Sequence, residues 1–214
     1  MIEQDYFMRM VSMLARMLSR IISLKNQKDF PQALLEIQTT GRTLLGIDHS
    51  LIRQFSPAQL LVLLGTDPSL AIPRAYALGL LLKEEAEIRR VMGEEDEAGL
   101  LSLKSLELLI DAWLQEGKAL ATDHTENIEG LLSVLAGCAL PPGLLEKIMS
   151  YHEGTGRFDR AENALFEILA AKPDFAAEGL QFYRRLLVKS DGDLRAGNLP
   201  RDEVLEGIAE LKTR

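Results

Sequence analysis

The chain has 214 residues, 47% hydrophobic and 26% charged, which is enough apolar side chain for a sizeable core in one domain or two small ones. A net charge of −8 argues against a general nucleic-acid role, because phosphate binding needs a Lys/Arg-rich face. Cys138 is the single cysteine, so an intrachain disulfide is excluded and no CxxC pair can build a zinc site. Leu, Ala and Glu dominate while β-branched residues are scarce, which predicts an all-α chain of about ten helices with short connectors.

The opening stretch, IEQDYFMRMVSMLARMLSRIISLK, places Phe7, Met10, Val11, Leu14, Met17, Leu18, Ile21 and Ile22 at helical spacing. Glu3 and Asp5 suit the positive end of the dipole and Lys25 the negative end. We read the stripe first as a wall of the core, packed on the hairpin that contains Ala33. Its methionine-rich face also suits a partner or a second copy, with Phe7, Met10 and Met17 as self-association residues of a homodimer. A membrane-surface role is the weakest reading. The acids near the start and Arg9, Arg16 and Arg20 interrupt any secretory signal. The longest weakly polar run, GLLSVLAGCALPPGLL, is too short to span a bilayer and is broken by Pro141 and Pro142. A cytoplasmic location is expected.

Further along, Ser56-Pro57 with Gln59 forms a capping box, and Asp67-Pro68 and Pro141-Pro142 mark helix junctions. Glu84, Glu85 and Glu87 stand one turn from Arg89 and Arg90, the pattern of a solvated, pair-laced face. Cys138, among small apolar neighbours in SVLAGCAL, is expected to be buried and inert.

The segment LLEKIMSYHEGTGRFDRAENALFEILAAKP resembles a tetratricopeptide repeat: Ala161 is the small residue at the helix crossing, Gly156 the turn, and Pro173 the end of the second helix. Met149 and Leu145 depart from that pattern. LLKEEAEIRRVMGEEDEAGLLSLKSLELL aligns with it at an offset of 63, matching Gly93 with Gly156 and Ala98 with Ala161. A fainter third version, NQKDFPQALLEIQTTGRTLLG, repeats the Phe158–Ala161 spacing as Phe30–Ala33. The expected architecture is stacked antiparallel helical hairpins, a tetratricopeptide-like α-solenoid, with regions 1–122 and 123–214 forming one continuous stack.

Chemistry is sparse in the pattern. His49, His124 and His152 lack the Glu-x-x-His spacing of di-iron bundles, and there is no HExxH, P-loop or GxSxG. DGDLRAGNLPRD has Arg195 and Ala196 where a calcium loop needs an oxygen ligand and glycine, so we read it as a loop before a last helix starting near Pro200. No catalytic residue, cofactor or metal is expected, and the chain is read as a non-enzyme, the alternative of another class being an enzyme with an unrecognised carboxylate pocket.

EQDYFMRM at the start, LLKEEAEI in the middle and LPRDEVLEGIAEL at the end resemble a family of uncharacterised bacterial proteins, a domain of unknown function whose members open with Glu-Gln-Asp-Tyr-(Ile/Phe)-Met-Arg. The resemblance implies a bacterial, intracellular helical-repeat protein and brings no activity or site residues with it. The function expected is recognition of a protein or peptide on a concave face, with Tyr76, Arg89, Trp113, Tyr151, Phe182, Tyr183 and Arg184 as the candidate contacts.

Overall fold

Helix-favouring residues set the class of this chain, and side-chain caps mark the helix starts at Phe30, His49, Pro57, Pro68 and Asp191. The computed structural model describes residues 2–116 and 123–213, the side chains of 2–11, 68, 116, 123 and 124 excepted. Among the described residues there is no strand. The α-helices are α1 Ile2–Asn26, α2 Phe30–Thr40, α3 His49–Gln54, α4 Pro57–Leu64, α5 Pro68–Val91, α6 Glu95–Glu116, α7 Asp123–Val134, α8 Pro142–Gly154, α9 Phe158–Ala171, α10 Ala176–Leu187, α11 Asp191–Ala196 and α12 Arg201–Thr213. Ten of these twelve have seven residues or more. The Ser56 capping box is closed in both directions, and the Asp67 carboxylate accepts the Ser69 N–H at the head of α5.

Three hairpin turns share one hydrogen-bond pattern. After α5, Gly93 N–H donates to the Arg90 carbonyl and Glu94 N–H to Arg89. After α8, Gly156 N–H donates to Glu153 and Arg157 N–H to His152, the same bonds 63 residues on. After α1, Lys28 N–H donates to Lys25 and Asp29 N–H to Leu24. This is the left-handed helix stop in which a residue of positive φ turns the chain and satisfies two orphan carbonyls. Gly93 and Gly156 have φ of 83° and 77°; Lys28 adopts 61° without being glycine. Ala98, Ala161 and Ala33 follow five residues later and are all fully buried.

The chain divides into two compact units, Met1–Cys138 and Ala139–Arg214. The first includes α7, which packs on α6 and buries Ile128 and Leu131. In this unit α1 packs on α2 and α5, with Leu14 and Ile21 in the core beside Ala33. The opening helix is therefore a wall of the core. The α5–α6 crossing is close: a Cβ on Gly79 would lie 2.7 Å from the Leu109 side chain, and Ser105 Oγ donates to the Gly79 carbonyl at 2.7 Å.

In the second unit α8 and α9 form a hairpin, and α10 packs on α12. Gly207 leaves room for the Tyr183 ring, which a Cβ there would meet at 2.3 Å. Two expectations are corrected. DGDLRA is not a loop but α11, because Ser190 caps it by accepting the Asp193 N–H. Cys138 is exposed rather than buried, since the chain turns at Gly137 (φ 81°) and carries it out of helix α7.

Candidate functional site

One polar cleft of about 420 Å³ stands out in the first unit, lined by Gln38, Arg42, Asp48, His49, Ser50, Arg53 and Arg89. Local sequence brings six of the seven together. Helix α2 runs into a π-helical turn, Gly41–Leu45, that carries Arg42 and ends on Gly46 at φ 70°. Such turns are rare and concentrate at functional sites. The chain then reaches Asp48, whose carboxylate caps α3 by accepting the Ser50 N–H at 3.0 Å and the Ser50 hydroxyl at 2.8 Å. Arg42 Nη2 donates to the same carboxylate at 2.8 Å. These contacts pull the Asp48 pKa down to about 2, led by the Ser50 backbone N–H.

Helix α5 supplies the back wall. Glu85 is fully buried. One of its oxygens lies 2.7 Å from His49 Nε2, and the other accepts from Arg89 Nε and Nη2 at 3.3 and 3.2 Å. Burial alone would raise this carboxyl, but His49 and Arg89 outweigh it and hold the pKa below the ordinary value. Arg89 Nη1 also donates to Glu94 at 2.6 Å, and Arg53 Nη2 pairs with Glu97 at 2.7 Å. The imidazole is thus held in orientation by a buried carboxylate.

Two further networks hold the cleft's frame. Lys25 of α1 bridges Glu84 and Glu87 of α5, with Lys83 beside them. Lys104 of α6 donates to the carbonyls of Ile52, Arg53 and Phe55 at 2.6, 3.1 and 2.9 Å, so an ammonium closes the C-terminal end of α3. The acidic run on α5 is therefore laced with pairs but not solvated, since Glu84 and Glu85 are buried. Packing of α1 and α3 over that face overrides its surface-like pattern.

A second feature of the first unit is an apolar groove of about 300 Å³ lined by Leu61, Val62, Gly65, Thr66, Ala71, Ile72, Ala75, Ala112 and Gln115, from α4, α5, α6 and the α4–α5 link. Val62 is 71% exposed there.

The candidate contacts fare unevenly. Tyr151, Phe182 and Tyr183 are fully buried in the second unit, and Trp113 is buried in the first, so none of the four lines an open face. Large rings bury the most apolar area and go inside when the fold offers partners. The Phe182 and Tyr183 rings lie 5.2 Å apart, and the Tyr183 hydroxyl donates to Glu162 at 2.6 Å. Tyr76 is half-buried, Arg184 is exposed, and Arg89 lines the polar cleft. Met17 is half-buried; the side chains of Phe7 and Met10 lie outside the described residues.

Sequence reasoning missed His49 because its partner is 36 residues away, and only the carboxylate–Arg89 spacing within α5 was visible locally.

Among the described residues no helix is long and apolar enough to cross a membrane. Comparison with the curated proteins and with the solved structures gave no match. The model of a family of unknown function, DUF6483, matches residues 1–214, and the chain belongs to that family.

Proposed function

We propose that the chain is a binding module built of tetratricopeptide-like hairpins, which acts by recognition rather than catalysis and takes up an apolar helix of another protein in the α4–α5–α6 groove. The groove carries the reading. Its lining combines Gly65, Thr66, Ala71, Ala75 and Ala112, small residues that let a second backbone come close, with the apolar Leu61, Val62 and Ile72. An apolar concavity beside a side chain as exposed as Val62 is the kind of surface that partners cover. The three matching turns support the hairpin-repeat part of the reading.

The test places a photo-crosslinking amino acid at Val62, and as control at Leu35 of α2, another exposed apolar position. The full-length chain is irradiated in a lysate of its source organism. A discrete adduct from Val62 only, lost when the exposed lining residue Thr66 is also changed (Thr66→Arg) to block the groove while Trp113 emission is unchanged, supports a groove partner. Labelling that is equal at the two positions would falsify the groove reading. An adduct with a second copy of the chain would instead favour a homodimer.

A further inference from the structure

We propose that the cleft formed by Arg42, His49, Arg53 and Arg89 binds the phosphate group of a small molecule. This inference is independent of the groove and its partner. Asp48 is the one carboxylate among the seven lining residues, against three guanidiniums and an imidazole. The carboxylates that pair with Arg53 and Arg89 (Glu85, Glu94 and Glu97) do not line the cleft, and Glu85 is closed off inside the core. A ligand therefore meets donors first.

Several features suit a phosphate. The donors come from three elements: Arg42 from the π-helical turn, His49 and Arg53 from α3, and Arg89 from α5. A planar carboxylate has two oxygens to offer them, whereas a phosphate has three and matches guanidinium forks. Arg42 and Arg53 each commit Nη2 in the ion pairs among the described residues, which leaves further N–H groups on each fork. The Arg42–Asp48 pair is open to solvent, with Arg42 75% exposed, so it is weak and a dianion can displace it. His49 and Arg89 differ: both are anchored on Glu85 before any ligand arrives, so their ordering costs are already met. The π-helical turn is a second, independent sign, an irregular backbone placed where it presents Arg42 to the cleft.

Calorimetric titration of the full-length chain at constant ionic strength tests this, with inorganic phosphate and glycerol phosphate as separate probes and malonate as the carboxylate control. Saturable one-to-one binding of a phosphate probe is expected, weakened about tenfold in Arg42→Gln and again in Arg53→Gln. Both positions are solvent-exposed, so Trp113 emission should confirm that the variants are folded. Binding of glycerol phosphate assigns an esterified ligand, and binding of inorganic phosphate alone assigns the free ion. The proposal fails if neither probe saturates, if malonate binds as tightly, or if both variants bind like the parent chain.

Discussion

Lys28 sits at φ 61°, in a turn whose two counterparts are Gly93 and Gly156. A Cβ in left-handed backbone costs roughly 1–2 kcal/mol, offset in part by the lower chain entropy of a non-glycine residue. Lys28→Gly should therefore stabilise the first unit by about 0.5–1 kcal/mol, while Gly93→Ala should destabilise it by a similar amount. Urea unfolding followed by Trp113 emission reads both, because the chain's single Trp is buried in that unit. Lys104 makes the opposite kind of contribution. Its ammonium satisfies three carbonyls, so Lys104→Met strands buried acceptors and should lose about 2–4 kcal/mol in the same measurement. A loss below about 0.5 kcal/mol would mean that water replaces the lysine at no cost.

At the scale of elements, the α5–α6 hairpin depends on close approach. Gly79 has no space for a methyl group against Leu109, and its carbonyl takes the Ser105 hydroxyl. Gly79→Ala should push the helices apart and cost about 1–3 kcal/mol through overpacking. The pairing Gly79→Ala with Leu109→Ala should recover part of that loss, since it removes the clashing atoms; additive losses would show that the crossing is not the cause. In the second unit the same device recurs with an aromatic ring, as Gly207 accommodates Tyr183 between α10 and α12.

Across the molecule, the two units should differ in their response to acid. Glu85 and Glu87 in the first unit have lowered pKa values: burial raises each, but their pairs with His49 and Arg89, or with Lys25 and Lys83, prevail. Their contribution to stability is present above the ordinary carboxylate value of about 4.5 and is lost as pH falls through their lowered values. Glu162 in the second unit is shifted the other way. Burial and the nearby charges of Glu203, Glu210 and Asp159 raise it, although the Tyr183 hydroxyl bond pulls down. Its ionised form opposes folding at neutral pH, and that penalty lifts as pH falls through its raised value. Hydrogen exchange of the full-length chain between neutral pH and pH 4 should therefore show protection around Glu162 falling less than around Glu85, once the intrinsic rate is divided out. Glu162→Gln, which keeps an acceptor for Tyr183, should abolish the second unit's share of this contrast. If both regions lose protection in step, the assigned shifts are wrong.

What was legible in the sequence was local. Ser56 with Gln59, Asp67 with Pro68, and the glycine turns each close hydrogen bonds within about six residues, so residue type alone determined helix class, most helix starts and the recurrence of the hairpin turn. The periodic stripe of the opening helix likewise marked Leu14 and Ile21 as core. The tertiary structure decided which charged and aromatic groups went inside. Glu85 looks like a surface acid in LLKEEAEI until α3 sets His49 against it, and Tyr151, Phe182 and Tyr183 look like contacts until α8 to α12 enclose them. Burial depends on which faces meet, and contacts tens of residues apart leave no spacing rule in the chain. The polar cleft is divided between the two: Arg42, His49 and Arg53 come from one local stretch, but Arg89 and the buried Glu85 behind His49 join them only when α3 and α5 pack.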